Sequence, residues 1–168
     1  VQNGLAGRVA NYDPNATGQA GAEGGEQAEP ELPPLHQLAY ESIDKGDYDG
    51  AIAAFEQALT ENPKDEEARL ALGQVKLMQR TQGVDLQAAR DAAAKNPADV
   101  TAQTQVADLD VLGGHVEDAF ARLVDVVKAT SGDERNAARE HLIGLFDVVG
   151  ATDPRVKKAR TALMSALY

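Results

Sequence analysis

The feature that most constrains this chain is a spacing. Asn62-Pro63 returns 34 residues later as Asn96-Pro97, and Leu38-Ala39 returns at the same offset as Leu72-Gly73. Phe55 and Ala58 likewise return as Ala89 and Ala92. At twice the offset, Lys45-Gly46-Asp47-Tyr48-Asp49-Gly50-Ala51 returns as Gly113-Gly114-His115-Val116-Glu117-Asp118-Ala119. A recurrence of this length carries one pair of helices per period. Such a hairpin cannot bury its own apolar face, so neighbours stack and leave a surface for binding. The expected fold is therefore an all-α superhelix, and its function should lie in what that surface holds.

The helical pattern does not begin at once. Residues 1–33 are punctuated by Gly4, Gly7, Gly18, Gly21, Gly24 and Gly25 and close on Pro30 and Pro33. So few large apolar side chains bury too little surface to offset the entropy of ordering, and a flexible linker is expected there. The short piece Leu5 to Ala10 reads as part of it or as the tail of something upstream, with the linker favoured. From Leu35, the residues Leu35, Leu38, Ala39, Ser42 and Ile43 form one helical stripe. Gly46-Asp47 ends that helix and caps the next, which carries Ala51, Ile52, Phe55, Ala58 and Leu59. Asn62-Pro63 closes the hairpin, and Asp65, Glu66 and Glu67 suit the positive end of a third helix.

The second repeat is degenerate. Its second helix, Leu86 to Lys95, carries Ala88, Ala89, Ala92, Ala93 and Ala94 where the first repeat has Phe and Leu. Ala92 is expected at its tight crossing. The third repeat pairs Ala98–Leu112 with Val116–Thr130. A fourth pair, Glu134–Val149 and Asp153–Tyr168, follows out of register, and Asp153-Pro154 is a cap with Pro at the first helical position. About four hairpins are expected over residues 34–168, enough for a stable stack.

Composition narrows the function. The formal net charge is −11, which opposes binding to nucleic acid or to anionic membranes. No apolar run approaches the ~20 residues of a membrane span, and no secretory signal is visible. With no cysteine there is neither a thiol nucleophile nor a thiolate metal site, which fits the cytoplasm. His36, His115 and His141 fall in separate segments without metal-ligand spacing. The acids Glu66-Glu67 and Asp108/Asp110 diverge around their helices rather than converge on a pocket. No catalytic residue, metal or cofactor is expected.

Two sets of residues stand out as protein-binding candidates. Arg155, Lys157, Lys158 and Arg160 are four of the 16 Lys and Arg residues, and they sit where the helix dipole disfavours cations. Pairing with Asp147 or Glu140 would explain them, as would an acidic partner surface. Beyond them, Leu163 and Leu167 make one ridge, and Met164 and Tyr168 an adjacent one. This tip either buries against the preceding hairpin or presents an apolar end to a partner.

The 34-residue period with this apolar pattern resembles the tetratricopeptide helix pair. Some domains of that kind clamp a C-terminal carboxylate with Lys, Asn and Arg on their inner helices. Here those groove positions carry His36, Tyr40, Ala71, Thr101 and Gln105, so a basic clamp is missing. A narrower likeness covers most of residues 32–168. The proline-rich linker, the segment Leu35 to Asp65, the degenerate middle repeat and the ending Leu145-Phe146-Asp147-Val148-Val149-Gly150, Asp153-Pro154-Arg155-Val156, Leu163 and Leu167-Tyr168 resemble the C-terminal half of thioredoxin-domain co-chaperones of the YbbN/CnoX (chaperedoxin) type. That resemblance implies a bacterial cytoplasmic holdase. It would bind unfolding clients, dock on a GroEL-type chaperonin through its last helix, and follow a thioredoxin-like domain absent from this chain. The competing reading is a scaffold that recognises one specific protein or associates with itself.

Overall fold

The computed structural model describes residues 31–168. The linker expected over residues 1–33 lies outside them, except for its last three positions. Eight helices make up the described residues: α1 Pro34–Asp44, α2 Tyr48–Glu61, α3 Glu66–Thr81, α4 Leu86–Lys95, α5 Val100–Leu112, α6 Val116–Ala129, α7 Gly132–Val149 and α8 Pro154–Leu167. The fold is all-α and built of tetratricopeptide-like helices, as the spacing predicts.

Local chemistry sets the boundaries. Asp47, Asp65, Asp85 and Asp99 each accept a hydrogen bond from the backbone N–H three residues on, capping α2, α3, α4 and α5. Each cap satisfies a donor that the first helical turn leaves without a partner. Gly46 (φ 73°) and Gly114 (φ 84°) occupy equivalent turns, after α1 and after α5. A left-handed residue is needed in each, and glycine supplies it without strain.

The apolar residues gather into three clusters. In the first, Phe55 is surrounded by Ala39, Ala51, Ala54, Ala58, Ala68, Ala71 and Val75 from α1, α2 and α3. A small second cluster joins Ala89 and Ala93 of α4 to Ala102 and Val106 of α5. The third and largest draws Leu77 of α3 and Ala107 of α5 together with α6, α7 and α8, including Phe120, Leu123, Leu142, Leu145, Phe146, Val156 and Leu163.

Pairing departs from simple sequence order in the second half. Helix α4 packs on α5, whereas α3 packs on α7. A side-chain carbon added at Gly73 of α3 would lie 3.3 Å from Val148 of α7. Toward the other end of the pair, Arg80 of α3 and His141 of α7 meet on one carboxylate. As the residue number rises on one helix it falls on the other, so α3 and α7 run antiparallel. The cause is side-chain volume. Helix α4 buries only Ala89 and Ala93, too little to cover α3, while α7 brings Leu142, Leu145, Phe146 and Val148. The tight crossing expected at Ala92 is also corrected: Ala92 is exposed, and the buried alanines are Ala89 and Ala93. The buried face is rotated by one residue, so that i and i+4 meet Ala102 and Val106 of α5.

Candidate protein-binding surfaces

The five expected groove residues do not form one groove. His36 is 2% exposed, and its Nε2 lies 2.6 Å from Oδ2 of Asp65, the residue that caps α3. It ties α1 to the start of α3 instead of facing a ligand. His36 and Tyr40 both meet Phe55 edge-on, at 5.8 and 5.5 Å between ring centroids. Ala71 belongs to the same core. Only Thr101 and Gln105 are exposed. The backbone N–H of Ala68 and the His36 ring both hold the Asp65 carboxyl below its ordinary pKa.

Asp108 and Asp110 diverge, as acids two apart on a helix must, but both are buried. Arg80 donates to Asp108 through Nε (2.8 Å) and Nη2 (3.0 Å), and His141 Nε2 lies 2.7 Å from its Oδ1. This cluster joins α3, α5 and α7. Burial pushes the Asp108 carboxyl up, but hydrogen bonds and charge from His141 and Arg80 outweigh it and hold the carboxyl below its ordinary value. Asp110 receives Arg90 at 2.9 Å. Beside it Arg122 donates to Gln103 (2.7 Å), which donates to the Ala93 carbonyl (3.0 Å). These structural roles were missed in the sequence. Their signal was an acid at each of two positions inside an apolar run, Val106-Ala107-Asp108-Leu109-Asp110-Val111-Leu112.

Helix α8 separates the residues proposed at the chain's end. Its core face is Val156, Ala159 and Leu163, packed chiefly on α6. Leu163, expected as a partner contact, is 6% exposed and belongs to the core. Leu167 is half-buried against that core. Met164 (62% exposed) and Tyr168 (fully exposed) face solvent. One helical stripe, Lys157, Thr161, Met164 and Tyr168, is thus open to a partner.

The basic residues divide in the same way. Arg155 pairs with Asp153 (2.9 Å), its own helix cap, rather than with Asp147 or Glu140. The guanidinium of Arg160 lies over the Phe146 ring, 5.3 Å from its centroid. Lys157 and Lys158 are exposed and have no ion-pair partner within 4 Å among the described residues. On the opposite side of α8 from Met164, a groove of about 390 Å³ runs between α6 and α8 over Phe120, Ala121, Val124, Ala159 and Ala162. Among the described residues, no group of three His, Asp or Glu side chains is placed to hold a metal. No described helix is long and apolar enough to cross a membrane.

Comparison with known proteins agrees with this architecture. A tetratricopeptide-repeat family model matches residues 79–168, and a second matches residues 42–80. The chain belongs to the tetratricopeptide-repeat family. It is also 34% identical over 140 residues to an uncharacterised protein of Mycobacterium bovis, and to uncharacterised proteins of two strains of Mycobacterium tuberculosis. The match covers 82% of this chain and 45% of each relative, so the chain spans less than half the length of these relatives. Tetratricopeptide repeats are protein-interaction modules.

Proposed function

We propose that this tetratricopeptide module is the partner-binding half of a bacterial cytoplasmic co-chaperone. In this reading it holds unfolding clients and docks on a GroEL-type chaperonin through α8, with a thioredoxin-like domain elsewhere in the parent protein. The observation that carries the reading is the exposed Met164–Tyr168 ridge, which continues the stripe begun by Lys157. Two large side chains four residues apart on one helix face suit a helix-in-groove contact. The nearby Lys157 and Lys158 would steer the encounter and make it sensitive to salt. The likeness of the chain's ending to the chaperedoxin type supports the choice of partner, and the greater length of the relatives supports a larger parent protein. The competing reading, a scaffold that recognises one specific protein or associates with itself, uses the same repeats, and binding to a chaperonin is what separates the two.

The test separates docking from folding. Met164→Ser with Tyr168→Ser removes the ridge and leaves Val156, Ala159 and Leu163 in place. Chaperonin binding, measured by surface plasmon resonance, is expected to fall by roughly tenfold or more, with the melting temperature unchanged. Unchanged binding would reject docking through this ridge.

A further inference from the structure

The groove between α6 and α8 lies on a different side of α8 from the docking ridge, and that docking reading does not use it. Its floor is apolar and made mostly of small side chains: Ala121, Ala159 and Ala162 above the buried Phe120 and Val124. Its walls carry opposite charges. Glu117, Asp118 and Asp125 rise from α6, which carries Lys128 at the far end of the wall, and Arg155 and Lys158 rise from α8. These charges are not equally available. Arg155 spends its guanidinium on Asp153 through two hydrogen bonds, at 3.1 and 2.9 Å, although it also senses the charge of Glu117. The three carboxylates of α6 form no ion pair within 4 Å among the described residues. Asp118, Ala121 and Asp125 also border a second cavity, of about 540 Å³, toward Arg90, which pairs with Asp110 at 2.9 Å, and Arg122, which donates to Gln103 and lies 3.9 Å from Asp110. The exposed ridge of α6 therefore presents acids around a small apolar step, with a hollow on each side.

We infer that this groove is a docking site for a cationic amphipathic helix. From Glu117 to Lys128 the α6 wall runs about 16 Å, or three helical turns. That length suits anchors at i, i+3 or i+4, and i+7 on the incoming helix. The alanine floor admits its larger apolar side chains. Basic residues on one flank of the helix meet Glu117, Asp118 and Asp125 and stop short of Lys128 at the end of that wall, while Lys158 on the opposite wall disfavours the reverse placement. An anionic helix meets the three acids instead, on a chain already at −11.

The test uses the full chain and two fluorescein-labelled helical peptides that share one leucine stripe, one with lysine flanks and one with glutamate flanks. The lysine peptide is expected to bind at least about tenfold tighter than the glutamate peptide, and to weaken as salt is raised. Asp118→Lys with Asp125→Lys is expected to weaken it roughly tenfold, and so is the uncharged Ala162→Leu, which fills the floor. Glu41→Lys with Asp44→Lys, the same charge change on α1, should leave binding nearly intact, as should Met164→Ser with Tyr168→Ser. Amide shifts on binding should concentrate on α6 and α8. Equal binding of the two peptides overturns the inference, and so does loss of binding on charge reversal at α1. If the Met164/Tyr168 variant abolishes binding, the peptide sits on the docking ridge and the groove assignment fails. Because the chaperonin experiment reads the ridge and this one reads the groove, either can fail without the other.

Discussion

The two ends of the molecule solve one packing problem in different ways. At the N-terminal end, α1, α2 and α3 enclose Phe55 in a cage of alanines and Val75, with the His36 and Tyr40 rings edge-on to it. At the C-terminal end, Phe120 and Phe146 meet edge-on, 5.0 Å between centroids, inside a cluster drawn from five helices. The first core follows chain order and the second does not, since α7 reaches back to α3. A core built from neighbours in sequence should open locally, whereas one that ties distant segments should open only with the whole domain.

Two truncations test that contrast most strongly. Phe55→Ala and Phe146→Ala each remove a buried ring, and each is expected to cost about 3–5 kcal/mol. Hydrogen exchange should separate them. Phe55→Ala should expose amides of α1 and α2 and leave α6 and α7 protected, and Phe146→Ala should lower protection throughout α3 and α5–α8. Equal loss across the chain in both variants would mean that the two cores form one cooperative unit.

The Asp108 cluster fastens the out-of-order helix, so it should come next in size. Asp108→Ala removes charge-assisted hydrogen bonds from Arg80 and His141, with an expected loss of about 1.5–3 kcal/mol. The pH dependence follows from the lowered pKa of Asp108. Its contribution is complete above the ordinary carboxylate value of about 3.9 and is lost as the pH falls through the lower folded value. Wild type should therefore lose stability on that acid limb more steeply than Asp108→Ala, as read by urea denaturation at a series of pH values. Parallel acid limbs would remove Asp108 from the account.

The contact of α3 with α7 can be probed at two glycines. A side-chain carbon added at Gly73 would lie 3.3 Å from Val148, while nothing lies within 4 Å of one added at Gly144. Gly73→Leu should overpack the crossing and destabilise by about 1–3 kcal/mol. Gly144→Ala, in an open position of α7, should stabilise by up to about 1 kcal/mol through helix propensity alone. If Gly73→Leu were neutral, α7 would not be seated against α3.

These sites also mark what was legible in the sequence. Helix positions and caps were readable because they depend on neighbours in the chain: Asp47, Gly46 and Asp153-Pro154 act where the pattern puts them. The Phe55 core was readable too, since its repeat keeps the full period. The partner of α3 was not. Spacing predicts α4, but the choice rests on how much volume Ala89 and Ala93 can supply, and that is settled by competition with a helix some fifty residues away. His36 was misplaced for a related reason. Its position in the repeat is a groove position, but in the first repeat Asp65 and Phe55 draw the imidazole inward. On α8 the sequence showed two apolar ridges without saying which was core, because both have helical spacing and only the direction of α6 distinguishes them.

That last distinction sets a large expected change beside the smallest one. Leu163 and Met164 are adjacent in sequence and similar in size, yet one is 6% exposed and the other 62%. Leu163→Ala should destabilise the domain by about 2–5 kcal/mol, as truncation in a packed core does. Met164→Ser with Tyr168→Ser should change stability by less than about 0.5 kcal/mol, because neither side chain loses buried surface. The two thermal melts place the boundary between core and surface within α8. Should the Met164/Tyr168 variant melt as early as Leu163→Ala, the outer ridge would be holding the C-terminal core closed, and its exposure would no longer argue for a docking partner.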